Sequence, residues 1–265
     1  MKEINSLKRA FDILNLYTPG NPNMGIKDVS QKLEISKSTA ARTMITLEAC
    51  GMLKQKEETR TYFLSKKVVE LARVFLSNTD IKTIAMPFLK ELAEKTDESI
   101  RLHIIEGEKR LCLAWIDSNK PVRPVVGPND IYGPLHAGAP GKLILAYLPE
   151  EKVNIILDKT GMQRYTEFTI TSRKELFAEL QKVRNQGFAI SKGEHLELVN
   201  TISAPIRNFF GEVVAALGIC WVIRKSTSER ENKYAELVKD SAYKVSQELG
   251  YIWSPSSLNK NGISK

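Results

Sequence analysis

The feature that most narrows what this chain can fold into is a pair of short helical segments separated by only three residues. Val29 and Leu33 lie four apart on one face of a short segment, about Lys27 to Leu33. Glu34-Ile35-Ser36 comes next and leaves room for nothing but a tight turn. Ser36 then stands where an N-cap belongs, ahead of a longer segment from Lys37 to about Cys50. Its apolar positions, Ala40, Met44, Ile45 and Leu47, recur at helical spacing, and Gly51 occupies the place of a left-handed terminator. Two helices joined in this way form a helix-turn-helix. A preceding helix is read from Leu7, Ala10, Phe11, Leu14 and Tyr17, with Ser6 as its cap. It ends in the breakers Thr18-Pro19-Gly20-Asn21-Pro22-Asn23.

The polar side of the third segment carries the chemistry. Lys37, Ser38, Thr39, Arg42, Thr43 and Thr46 lie near its N-terminus or along its solvent face. Short hydroxyls and a forked guanidinium suit phosphates and base edges, and a helix N-terminus itself favours a phosphate. The alternative is a capped surface helix of any small α domain. The adjoining segment argues against that alternative: Met52–Lys56 and Thr61–Leu64 alternate as strands around Glu57-Glu58-Thr59-Arg60, a hairpin in the position of a wing. Lys54, Lys56 and Arg60 put positive charge at or near its tip, partly opposed by Glu57 and Glu58. The net charge is +8, and residues 1–80 hold 13 Lys and Arg against 9 Asp and Glu. That basic balance, about twice as dense as in the remainder, favours a polyanionic partner.

Beyond residue 66 the helical pattern of Val68, Leu71, Ala72 and Phe75 reads as a linker helix, interrupted at Asn78-Thr79-Asp80. A helix over Ile81–Lys95 contains Pro87, which predicts a kink or a new start. From Ser99 the period changes to two. Ile100, Leu102 and Ile104 alternate with Arg101, His103 and Ile105 ahead of the turn Glu106-Gly107-Glu108 and a return strand through Trp115. A second hairpin joins Thr201–Arg207 to Val213–Ile223. Helices are expected near Gly141–Leu148, Glu150–Lys159, Ser172–Asn185 and Ser228–Leu249. This pattern predicts an α+β fold with an antiparallel sheet covered by helices.

Several motifs resemble the IclR family of transcriptional regulators. In the first part they are Ser6 to Leu14, Ser38-Thr39-Ala40-Ala41-Arg42 leading to Thr46-Leu47-Glu48, and Tyr62-Phe63-Leu64, with Ser65 where the family usually has Gly. In the second part they are Gly133 to Lys142 followed by Leu145 to Pro149, Gly187-Phe188-Ala189, Glu194-His195, Ile202 to Ile206 and Gly211 to Leu217. The resemblance covers about residues 5–250. It implies a winged helix-turn-helix domain over 1–66 and a linker helix over 67–79. A GAF- or profilin-like effector-binding and oligomerisation domain occupies 80–252, with a disordered tail over 253–265. It further implies a regulator, more often a repressor, that binds a double-stranded operator as a homodimer or tetramer and answers to a small-molecule effector. Lys37, Ser38, Thr39, Arg42, Thr43, Thr46, Lys56 and Arg60 are the expected DNA contacts. His136, Ala139, Pro140, Ser191, Val199, Thr201, Gly218 and Cys220 are the expected effector contacts. With no Arg or Lys among those positions, the effector is an organic acid held by amides and hydroxyls, or an aromatic or neutral compound.

Catalysis is not expected. A phosphate loop needs G-x-x-x-x-G-K-[ST], but His136 and Leu143 occupy its two ends. A nucleophile pair of Cys220 with His136 or His195, and a zinc site drawn from His103, His136, His195 and Cys220, lack supporting spacing. No cofactor or metal is expected. The rival readings are an enzyme carrying a regulatory head and a binding module with no DNA role. Three widely spaced cysteines, no apolar run of membrane length and no cleavable leader fit a cytoplasmic protein without a membrane partner.

Overall fold

The computed structural model describes residues 4–18, 20–77, 80–127, 130–223 and 227–252. The expected break at Asn78-Thr79 and the expected tail at 253–265 lie outside them, as does the side chain of Phe75. The chain divides into two compact units, Met1–Thr79 and Asp80–Lys265.

The first unit contains α1 (Asn5–Asn15), α2 (Ile26–Lys32), α3 (Lys37–Ala49), β1 (Leu53–Gln55), β2 (Tyr62–Leu64) and α4 (Lys66–Ser77). Ile13, Met24, Val29, Ala40, Met44, Leu47, Leu53 and Tyr62 build its core. Both ends of α3 are held by local chemistry. Ser36 Oγ accepts from Thr39 N at 3.1 Å. At the other end Gly51 adopts φ +76°, letting Gly51 N reach Glu48 O (2.8 Å) and Met52 N reach Leu47 O (2.9 Å), a Schellman motif. Glu48 Oε1 accepts from Gln55 N, which fastens the recognition helix to the wing. Met24 and Tyr62 exchange two backbone bonds, so the wing is also pinned to the segment before α2. Ser65 donates to Gly51 O and accepts from Lys67 N, capping α4 with the hydroxyl that stands in place of a glycine.

Three local expectations are corrected. Helix α1 starts at Asn5 behind Ile4, so Ser6 is inside it rather than capping it. Its inward residue is Ile13, with Ala10 and Leu14 beside it, while Leu7 and Phe11 are more than half exposed. Ile45 likewise points outward from α3. In each case an apolar residue at roughly the right spacing lies one step round the helix from the buried stripe.

The second unit is a six-stranded sheet in the order β5-β4-β3-β8-β7-β6, every pair antiparallel. The strands are β3 (Ser99–Glu106), β4 (Lys109–Ile116), β5 (Tyr132–Gly133), β6 (Ala189–Lys192), β7 (Val199–Arg207) and β8 (Val213–Val222). The helices are α5 (Ile81–Thr96), α6 (Ala139–Ala146), α7 (Glu150–Thr160), α8 (Arg173–Gln186) and α9 (Ser228–Glu248). Strand β5 has only two residues and pairs with β4 across more than a dozen residues, and β6 joins β7 as an edge strand that the sequence reading did not include. Pro87 lies inside a continuous α5 that starts at Ile81, with Asp80 accepting from Lys82 N and Thr83 N. Helix α6 opens at Ala139, with Pro140 in its first turn.

The sheet presents two unlike faces. One is apolar: Ile100, Leu102, Ile202, Ala204, Leu217, Ile219 and Trp221 pack with Leu89, Leu92, Val238 and Val245 of α5 and α9. The alternate residues, among them Arg101, His103, Cys112, Ser203 and Cys220, face the opposite side and are also buried. There a second cluster built by α6, α7 and α8 closes over part of the sheet.

Candidate effector pocket and nucleic-acid interface

In the first unit, Lys37, Ser38, Arg42 and Thr46 are exposed along α3, and Thr39 and Thr43 are half-buried. Two hydroxyls are engaged with the helix: Thr43 Oγ1 donates to Thr39 O (2.9 Å) and Thr46 Oγ1 to Arg42 O (2.8 Å). Each keeps lone pairs facing outward, so in this arrangement these threonines offer acceptors rather than donors. Arg42 supplies the forked donor of the face. Lys56 and Arg60 are exposed on the wing, and Arg60 adopts φ +55° with its N–H on Lys56 O. Lys56 Nζ lies 5.8 Å from the Phe63 ring centre.

In the second unit the polar face of the sheet and the start of α6 enclose a cavity. It is lined by Arg101, His103, Arg110, Gly138, Pro140, Ser191, His195, Leu196, Val199, Thr201 and Cys220. The free space is about 30 Å³, room for a water or two. Five of the eight expected effector residues line it: Pro140, Ser191, Val199, Thr201 and Cys220. Ala139 is buried in the helical cluster behind it. Gly218 lies beneath the floor, where a Cβ would meet Ser203 Oγ at 2.7 Å. His136 is turned away: its Nε2 is 2.9 Å from Gln163 O, and its ring lies 5.8 Å from that of Tyr165.

Sequence reasoning missed the cationic side chains of this cavity. Arg101 and His103 project from β3 and Arg110 from β4, all less than a tenth exposed. Gly133 on β5 makes room for Arg110, since a Cβ there would sit 2.5 Å from the guanidinium. Arg101 Nε and Nη2, Arg110 Nε and both His103 nitrogens have no hydrogen-bond partner among the described residues. Arg110 Nη2 lies 3.2 Å from His195 Nδ1, so a neutral His195 accepts there and carries its proton on Nε2. Burial, then the neighbouring Arg110, pushes His195 down to about 4. Burial and both arginines hold His103 well below the usual histidine range. Burial pushes the Cys112 thiol up to about 11. No Arg or Lys stands among the expected effector positions, yet two arginines from outside that set border the pocket. The signal was present in the alternation of Arg101 and His103 with Ile100, Leu102 and Ile104, but only the long-range pairing of β3 with β8 makes that polar side an interior.

Behind the cavity Lys142, fully buried, is surrounded by Glu194 Oε1 (2.6 Å), Ile190 O (2.9 Å) and Glu179 Oε1 (3.0 Å). Glu194 Oε2 also accepts from Gly138 N (3.3 Å). Burial pushes the Glu194 carboxyl up, while Lys142 and the Gly138 N–H pull it back. The lysine that invited a phosphate-loop comparison thus ties α6 to α8 and to the loop carrying His195. Cys220 and His195 share the cavity, but Cys220 Sγ is partnered by Thr201 Oγ1 at 3.7 Å. No group of three potential metal ligands occurs among the described residues.

Comparison with known proteins agrees with this arrangement in both units. The model of the IclR helix-turn-helix domain matches residues 6–57, and that of the bacterial transcriptional regulator IclR C-terminal domain matches residues 74–247. The chain is 31% identical to the HTH-type transcriptional regulator KdgR of Escherichia coli (strain K12), covering 94% of each. It is 28% identical to the HTH-type transcriptional repressor AllR of the same strain, covering 94% of this chain and 92% of AllR. The fold matches the crystal structure of a putative IclR transcriptional regulator from Silicibacter sp. TM1040 with a TM-score of 0.82. That match has 24% identity and covers 95% and 98% of the two chains. With a DNA-binding helix-turn-helix in one unit and a helix-covered sheet with a buried polar wall in the other, the chain belongs to the IclR family of transcriptional regulators.

Proposed function

We propose that this regulator is a repressor that binds a palindromic operator and is released or retained according to an anionic small molecule held beside Arg101 and Arg110. The observation that carries the sensing half is the pair of buried guanidiniums with open N–H groups in one cavity. A buried charge without a partner is costly, so such a wall favours an anion that completes it. Ser191 and Thr201 add hydroxyls, and Pro140, Val199 and Cys220 add apolar surface. His136, Ala139 and Gly218 then act by shaping the wall.

On the DNA side, Lys37, Ser38, Thr39, Arg42, Thr43 and Thr46 enter the major groove, and Lys56 and Arg60 meet the backbone. A palindrome requires two copies. Ile4 just before α1, Leu7 and Phe11 on α1, and Val69, Leu71 and Val74 on α4 are large apolar side chains left exposed, which supports a homodimer built on these helices. Tetramers arise by pairing of such dimers. The name of AllR as a repressor supports the same sign here. No helix among the described residues is long and apolar enough to cross a membrane, and the protein works in the cytoplasm on chromosomal DNA. Footprinting on the DNA flanking its own gene tests the reading: a two-fold symmetric protected site is expected, and uniform, sequence-independent protection contradicts it.

A further inference from the structure

We infer that the cavity is built for a ligand with two acidic groups on a short carbon frame. The inference rests on the reading of this cavity as the effector site and goes beyond it in specifying charge.

Arg101 and Arg110 both reach the cavity, and each has donors with no partner among the described residues. They do not stand side by side on the strands. Arg110 pairs with Ile105, four residues along β3 from Arg101, so their backbones are offset by about 13 Å at a strand's rise of 3.3 Å per residue. The two side chains thus start from separate points along one wall, with His103 between them, and converge on the one cavity. No carboxylate among the described residues lines the cavity. Glu194, next to it in the chain, is committed to Lys142 and to Gly138 N. Asp130, a carboxylate that acts on both Arg110 and His195, accepts from Gly127 N and forms no ion pair with either among the described residues. With both histidines neutral, the wall carries two positive charges. One carboxylate matches one fork; two carboxylates match both, each as a charge-assisted contact that the fork can make bidentate.

The free space is smaller than any such ligand, so the side chains of His195 and Leu196 must swing aside while Glu194 beside them stays tied to Lys142. His195 Nδ1 already sits as an acceptor on Arg110 Nη2, the position an incoming carboxylate oxygen takes over. Its ring leans edge-on against Tyr165, with centroids 4.9 Å apart, and Tyr165 is itself partly exposed.

Calorimetric titration of the full chain at fixed ionic strength tests this with succinate, glutarate and adipate against butyrate, valerate and hexanoate, plus glycerol 3-phosphate. At least one diacid is expected to bind about tenfold or more tightly than the monoacid of equal length, a second charge-assisted contact being the only difference. Arg101→Gln and Arg110→Gln should each bring that ratio close to one. Both substitutions remove an unpaired buried charge, so the ligand-free melting temperature should hold or rise. Equal affinity for monoacids and diacids overturns the two-group inference while leaving the sensing reading intact. Preference for glycerol 3-phosphate over every diacid replaces two separated groups by one dianionic head and also overturns it. Failure of every anion to bind the folded chain removes the sensing reading together with the inference, and a marked fall in melting temperature on Arg→Gln identifies a structural arginine instead.

Discussion

Arg42 and Arg101 carry the same guanidinium in opposite surroundings. Arg42 stands in solvent on α3, where its charge is screened and costs nothing to hold open. Arg101 is buried in the sheet wall beside a second buried arginine, and its Nε and Nη2 meet no acceptor among the described residues. The first unit therefore meets its partner with a surface that is complete without it. In the proposed reading the second is completed by its ligand, which offsets the cost of burying two guanidiniums. That difference explains how a small molecule can bias the whole chain: its differential affinity comes from completing a deficit, and only differential affinity shifts a conformational equilibrium.

The sharpest way to break the contrast is to disturb a buried ionic site that is already satisfied. Lys142→Met leaves Glu194 buried without its cation and should cost about 3–5 kcal/mol of effector-unit stability in denaturant unfolding. A cost below about 1 kcal/mol would mean that the site is more hydrated than its geometry indicates. On the exposed side, Arg42→Ala should lower operator affinity by ~1–3 kcal/mol if it reads a base, with little effect on melting. An equal loss on operator and random DNA would demote it to a phosphate contact.

A further effect is set by pH. All three histidines of the chain, His103, His136 and His195, belong to the second unit. His195 is held near 4 by burial and by Arg110, with Arg101 and His136 acting the same way and Asp130 opposing. The unfolded chain thus binds more protons than the folded one between about 6.5 and 4. The stabilisation from the neutral ring is present above about pH 6.5 and lost as pH falls through that window. The melting temperature of the effector unit should drop from about pH 7 to about pH 4.5, and His195→Gln should flatten the slope. An unchanged slope would show that His195 is not held neutral by the fold.

The two regions also differed in how legible they were. Ser36, Gly51 and the outward polar residues of α3 act within a few positions of one another, so spacing alone places them. The stripe on α1 misled because Leu7 and Phe11 are apolar yet exposed, leaving surface that a second copy can cover. The alternation of Arg101 and His103 looks like the wet side of an ordinary hairpin. It becomes an interior because β8 pairs with β3 and because α6 to α8, distant in sequence, close over that face. Pro140, Ser191, Val199, Thr201 and Cys220 came from resemblance, which marks positions and is silent about cations contributed from strands outside the matched set.

The central claim, that an anion at the paired arginines controls DNA binding, is tested most directly by fluorescence anisotropy on the footprinted operator. The wild-type chain and Arg110→Gln would each be titrated with and without the tightest-binding acid of the calorimetric series. The account predicts equal operator affinity for the two proteins without ligand, and a ligand-induced change of about tenfold in the wild type that Arg110→Gln abolishes. A ligand response that survives Arg110→Gln would contradict it.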